Sequence, residues 1–191
     1  MYDAALFYAD SLNTSARCRR VLGDDISNEF VLATVHRAEN TDNGERLKRI
    51  FGALKQTART TPVVIPLHPR TKKALQQADM LQEVKEALCV IARGGCLDMI
   101  SLERQAQLIV TDSGGVQKEA YFQETPCVTL RDETEWTELV EAGCNTIVPP
   151  KDEVTMVAEI KKGVESGFDA DRYIYGDGSA SETIVDIVQA L

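Results

Sequence analysis

Six short apolar runs, each separated from the next by a helical stretch, constrain this chain more than any other feature. They cover residues 30–35, 62–67, 88–92, 107–111, 126–130 and 146–148. Their continuous apolar, β-branched character is that of strands buried on both faces. Helices are expected over 3–12, from Thr41 or Asp42 through Leu47, Ile50, Phe51 and Leu54, over 71–80, 97–105 and 116–122, from Thr134 to about Ala142, and over 153–165 and 180–191. Gly143 is the stop signal of the Thr134 helix. This alternation predicts an α/β fold, a doubly wound parallel sheet of Rossmann-like type with right-handed crossovers and strand order 3-2-1-4-5-6. In that order the first and fourth strands are neighbours. The chain reverses direction between them, and ligands bind beyond the C-terminal strand ends at such a point.

The fourth strand runs into Asp112-Ser113-Gly114-Gly115, and a helix follows from Val116. Asp112 and Ser113 are good N-cap residues, and two glycines allow a sharp turn with no side chain in the way. Free N–H groups at a helix start, with the helix dipole behind them, make an anion site. The same residues equally serve a plain strand-to-helix turn. Glu119, about one and a half turns into the helix, would repel a phosphate at close range but suits a pair of sugar hydroxyls. The first strand ends in His36-Arg37, so the topology brings a cationic loop to the candidate anion site.

The two histidines, His36 and His68, both directly follow strands. Imidazole can donate to a phosphate or move a proton near neutral pH; a structural hydrogen bond at the strand end is the alternative. Arg37, Arg70 and Arg131 also follow strands and are suited to phosphate or carboxylate, or to ion pairs with nearby acids. Arg131 has Asp132, Glu133 and Glu135 beside it, so internal pairing stands as an alternative there. Glu133 and Glu135 are candidate acid/base groups, though a charge run opening a helix is more often a solvated, dipole-compatible N-terminus.

A length of 191 residues and 43% hydrophobic content suit one soluble domain. The formal net charge of −9 argues against nucleic acid or an anionic membrane as the main partner. Five cysteines (18, 89, 96, 127, 144), odd in number and without a Cys-x-x-Cys, fit reduced thiols in a cytoplasmic setting. Two histidines and no cysteine cluster fall short of a zinc set, so no metal is expected. No apolar stretch is long enough to cross a membrane, and no signal peptide is visible at the start.

The motifs taken together resemble the non-hydrolysing UDP-N-acetylglucosamine 2-epimerases. The residues are Thr34-Val35-His36-Arg37-Ala38-Glu39-Asn40, Pro66-Leu67-His68-Pro69, Asp112-Ser113-Gly114-Gly115-Val116-Gln117-Lys118-Glu119-Ala120, Arg131-Asp132-Glu133-Thr134-Glu135 and Tyr175-Gly176-Asp177-Gly178. Their order is that of the family, over nearly the whole chain. The resemblance implies the C-terminal, UDP-binding half of a two-domain fold of the glycosyltransferase-B type. Residues 1–22 would be a helix and interdomain linker, 23–178 the Rossmann-like domain, and 179–191 a helix crossing back to an N-terminal domain.

By the same resemblance, Ser113, Gly114, Gly115 and His36 hold the diphosphate and Glu119 takes the ribose hydroxyls. Arg37, His68, Arg131 and Glu135 lie near the substrate or, for His68, at a position tied to a second, regulatory UDP-sugar. His36 is the one family-implied catalytic residue, since the main acid/base carboxylates belong to the N-terminal half. The implied partners are UDP, a UDP-N-acetylhexosamine, that N-terminal domain and a homodimer mate; no cofactor is implied. The implied setting is precursor synthesis for cell-surface polysaccharide. Where many members read Thr-Glu-Arg-Pro-Glu, this chain has Thr134-Glu135-Trp136-Thr137-Glu138, which implies a more decorated UDP-sugar as an alternative substrate. Cys96 stands near where an aromatic residue often borders the uracil. A glycosyltransferase donor-binding half, a stand-alone UDP-sugar-binding domain and a doubly wound domain without a nucleotide site are the other readings.

Overall fold

The computed structural model describes residues 2–23, 29–92, 94–168 and 174–190. Most of the polar loop expected over 23–29, and Leu191 at the end of the last helix, lie outside the described residues. Six parallel strands, β1 (Val31–Thr34), β2 (Val63–Pro66), β3 (Cys89–Ile91), β4 (Leu108–Thr111), β5 (Cys127–Thr129) and β6 (Asn145–Ile147), form one sheet of order β3-β2-β1-β4-β5-β6. Both the strands and the order are those expected from the apolar runs.

Period-two alternation sends neighbouring residues of one strand into different cores. Val31, Ala33, Val63, Ile65, Leu108 and Val110 pack in one core, with Leu47, Ile50, Phe51 and Leu54 of α4 (Gly44–Thr57) and Met156 and Ile160 of α10 (Glu153–Ser166). Leu32, Val64, Ile109 and Cys127 pack on the opposite face with Leu102 of α7 (Cys96–Gln105) and Val116 and Ala120 of α8 (Gly114–Phe122). Two covered faces are why the strands carry no polar residue in alternation. At Gly163 in α10 a Cβ would lie 2.8 Å from Leu108 Cδ1, so that glycine lets the helix sit directly on the central strand.

Three helices were not expected from the sequence. α2 (Thr14–Leu22) is capped by Asn13 and is tied to α7 by an Arg17–Asp98 ion pair of 2.7 Å. α3 (Ala38–Thr41) is one turn, and α4 is capped by Asn43 rather than by Thr41 or Asp42. α6 (Leu81–Ala87) is set off from α5 (Pro69–Gln77) by Asp79 at φ +55°, which stops helical hydrogen bonding between them. α9 (Thr137–Glu141) is capped at Trp136 rather than at Thr134, because residues 131–136 fold as an ion-paired loop.

α1 (Tyr2–Ser11) docks at the end of α8, with Tyr2 stacked on Phe122 at 4.8 Å. The Ser181 N–H of α11 (Ala180–Gln189) donates to Asp3 at 2.6 Å. Beyond that tie α11 buries no residue: Ile184, Val185, Ile187 and Val188 are 50–63% exposed. Among the described residues no helix is long and apolar enough to cross a membrane.

Candidate functional site

The parallel β1–β4 pairing sets Thr34 opposite Thr111, and their hydroxyls meet at 2.6 Å. His36 and Ser113 each stand two residues beyond that pair, so register alone brings the two loops side by side. Asp112 then locks them. Its fully buried carboxylate accepts from the His36 N–H at 3.0 Å, the Arg37 N–H at 3.0 Å and the Asn40 side-chain amide at 3.0 Å. Asn40 also donates to the Leu130 carbonyl at 3.1 Å, which adds the loop after β5 to the same knot. A carboxylate holding three donors is a strong local constraint. Asp112 is thus a brace between loops; it is Ser113 whose Oγ caps α8, accepting from the Val116 N–H at 3.5 Å.

These loops wall a cavity of about 410 Å³ at the C-terminal edge of the sheet, lined among others by His36, His68, Cys96, Glu103, Ser113 and Glu119. The Ser113 hydroxyl proton remains its own to donate, and the Gly114 and Gly115 N–H groups precede the first intrahelical bond of α8. The His36 and His68 rings are 5.3 Å apart, and His36 Nδ1 is 3.7 Å from Asp112. His68 caps α5: its Nδ1 accepts from the Arg70 N–H at 3.2 Å, which leaves the proton of the neutral ring on Nε2. The arrangement offers hydrogen-bond donors to an anion near α8 and a carboxylate, Glu119, one helical turn farther in.

Arg37, Arg131 and Glu135 do not line that cavity. They form a network along the Gly114 turn. Glu135 takes Arg131 at 2.7 Å and Arg37 at 3.4 Å, and Arg131 reaches Glu39 at 3.4 Å. The Arg131 hydrogen bond, helped by the Glu135 backbone and Arg37, pulls the Glu135 carboxyl down to about 2. Arg131 is therefore internally paired, as one of its two sequence readings had it. Arg70 is engaged by Asp42 at 2.7 Å and by Thr41 at 2.9 Å, away from the anion turn. A Cβ on Gly114 would meet Arg37 Nη2 at 3.3 Å, so the network crowds that turn. Among the described residues no three His, Cys, Asp or Glu side chains group to hold a metal.

Trp136 was a sequence oddity; the structure makes it a support. Its indole N–H donates to the Gly114 carbonyl at 2.8 Å, and Lys118 sits 3.5 Å above its ring. Replacing Trp136 with Phe keeps the ring and removes the donor. We expect a loss of about 1 kcal/mol, seen as a fall of about 2–4 °C in the thermal midpoint; an unchanged midpoint would mean that the Gly114 carbonyl is held by other means.

The profile of the UDP-N-acetylglucosamine 2-epimerases matches residues 1–189. The chain belongs to the UDP-N-acetylglucosamine 2-epimerase family. Within it, the UDP-2,3-diacetamido-2,3-dideoxy-D-glucuronate 2-epimerase of Pseudomonas aeruginosa is 41% identical over 192 residues, covering 100% of this chain and 51% of that protein. A UDP-N-acetylglucosamine 2-epimerase homolog of Methanococcus maripaludis is 42% identical, covering 85% of this chain and 45% of its own length. In three dimensions, the UDP-GlcNAc 2-epimerase of Methanocaldococcus jannaschii in complex with UDP-GlcNAc and UDP superposes with a TM-score of 0.86 at 33% identity, over 100% of this chain and 53% of that one. The chain spans about half the length of the epimerase relatives it matches.

Asp112 as a brace and Glu103 as a buried residue of the cavity wall are not legible in the sequence. Asp112 was noticed only as a cap, since nothing local says that its carboxylate turns back to β1. Glu103 was hidden inside an ordinary helix, Cys96–Gln105.

Proposed function

We propose that this chain is the UDP-binding half of a UDP-N-acetylhexosamine 2-epimerase of the glycosyltransferase-B type. The observation that carries the reading is the register of β1 on β4, which sets His36 beside Ser113 on a cavity that also holds Glu119. In this reading the diphosphate sits at the start of α8, on the Ser113 hydroxyl and the Gly114 and Gly115 N–H groups, with His36 across from it. Glu119 accepts from the ribose hydroxyls. Arg37, held beside Gly114 by Glu135, adds positive charge at the edge, and His68 stands next to His36.

The reaction inverts C2 of the sugar. A base takes the C2 proton, the C1–O bond breaks with its electron pair leaving on UDP, and a glycal forms. Re-addition of UDP with protonation on the other face completes the inversion. Negative charge grows on the diphosphate as C1–O breaks, so donors placed there act on the transition state. In this reading the proton-transferring carboxylates come from a second domain in the cytoplasmic full-length enzyme, and the exposed stripe of α11 is covered by that domain.

UDP titration tests the pocket. Trp136 is the only tryptophan and is bonded to the Gly114 carbonyl, so its emission reports UDP arrival directly. Ser113→Ala is expected to weaken UDP by about tenfold, the size of a hydrogen bond to a charged group. Unchanged affinity would place the diphosphate elsewhere.

A second reading, a more decorated UDP-sugar as substrate, is favoured by the match of the Pseudomonas aeruginosa relative over the whole chain and by Trp136. Competition for the site between UDP-GlcNAc and a UDP-2,3-diacetamido sugar separates the two.

A further inference from the structure

Glu103, on α7, has no role in the reaction as derived above, yet it is 0% exposed and lies on the wall of the same cavity as Glu119. Taken as a carboxylate, it has both oxygens buried without a single donor. An isolated buried charge of that kind is strongly unfavourable. The side chain that faces it is Glu119 of α8, itself partly buried and also an acceptor when ionised. Two carboxyls facing each other out of water cannot both ionise. A proton on one turns it into a donor and satisfies both.

We infer that Glu103 keeps a proton at neutral pH and donates it to the Glu119 carboxylate, acting as the positioning residue for the group that receives the ribose hydroxyls. The inference rests on the reading of Glu119 given under Proposed function. Burial, followed by the charge of Glu119, pushes the Glu103 carboxyl well above its ordinary value. Glu119 rises less in kind: burial raises it and the hydrogen bond from Glu103 works against that rise. The proton therefore belongs on Glu103, the more deeply buried of the two.

Other groups face the pair from the elements packed around it. Cys127 of β5 feels Glu103, and burial pushes its thiol up to about 12, so it stays neutral. Thr125 gives its hydroxyl to the Glu103 backbone carbonyl, not to the carboxyl. Among the described residues, His36, His68 and Cys96 are the other titratable groups on the cavity, contributed by the loops after β1 and β2 and by the start of α7. Without Glu103 the Glu119 carboxylate would lose the donor that faces it from α7. With it, one Glu119 oxygen is fixed inward and the remaining acceptor capacity is aimed at the cavity.

The test is calorimetry of this chain with UDP and with 2′-deoxy-UDP at several pH values, for wild type, Glu103→Gln and Glu103→Leu. Wild type should prefer UDP by about tenfold or more at pH 7, because a site built to accept a hydroxyl discriminates against its absence. Glu103→Leu should cut that preference by about fivefold or more, while Glu103→Gln, whose amide still donates, should keep it. In wild type the preference should fade as alkaline pH strips the shared proton; in Glu103→Gln it should not.

Stability should depend on the same proton. The unfolded carboxyl releases its proton near 4.5, whereas the folded one holds it, so this group's contribution is full below that pH and is lost as pH rises toward the folded value. Glu103→Leu and Glu103→Gln should both lack that decline and melt higher than wild type at pH 8, which also shows that they fold. Wild-type preference for UDP that persists unchanged in Glu103→Leu overturns the role of Glu103 and leaves the ribose reading standing. Absence of any preference in wild type overturns the ribose reading and this inference with it.

Discussion

Asp112→Ala is expected to destabilise the chain by about 3–5 kcal/mol and to lower UDP affinity in the molecules that still fold. The side chain accepts from two backbone N–H groups and one amide, and all three donors lose their acceptor together. Each buried donor left unpaired costs about 1–3 kcal/mol, and relief of the desolvation of Asp112 itself offsets part of the sum. A loss of about 3–5 kcal/mol is roughly a fifth or more of the stability of an ordinary domain. Asp112→Asn keeps the shape and one acceptor oxygen but turns an N–H toward other donors, so about 2 kcal/mol is expected. Urea unfolding of the three proteins measures both differences through the midpoint. The two changes also separate fold from site, because Asn can keep the loops together while Ala cannot. Should Asp112→Ala cost less than about 1 kcal/mol, strand register alone would be holding His36 beside Ser113, and the brace would be dispensable.

That brace marks where the sequence stops being readable. Strand order followed from the apolar runs, because a strand covered on both faces has no other composition open to it. The Ser113 cap followed from residue type, as did the stop at Gly143, whose φ of +78° favours glycine. What did not follow was contact between distant polar residues. Nothing around Asp112 distinguishes a side chain that caps its own helix from one that reaches across to residues 36, 37 and 40. α2, with its Arg17–Asp98 pair, has the same explanation: part of what places it is a partner 81 positions away. Glu103 carries this furthest. On a helical wheel it is one more acid, and only the packing of α7 against α8 reveals that it has no water and a second carboxyl for company.

The largest effect concerns chemistry. This chain by itself should bind UDP and a UDP-N-acetylhexosamine and yet exchange the C2 proton with solvent at least about 10⁴-fold more slowly than a two-domain relative. A positioned base and a positioned acid each contribute roughly 10²–10⁴, and the family resemblance assigns both to the other half. The carboxyls on the cavity, Glu103 and Glu119, interact with each other, which ties up the basicity a C2 base would need. Proton NMR of a UDP-GlcNAc solution in D₂O with this chain measures the exchange as loss of the C2 signal. Full retention of that signal, with UDP binding intact, fits a binding half whose acid and base lie outside these residues. Exchange at the rate of a two-domain relative would mean that a group already on this cavity takes the proton. His36 would then be the first candidate, since Asp112 receives its backbone N–H and lies 3.7 Å from its Nδ1. His36→Gln in that same assay would decide it.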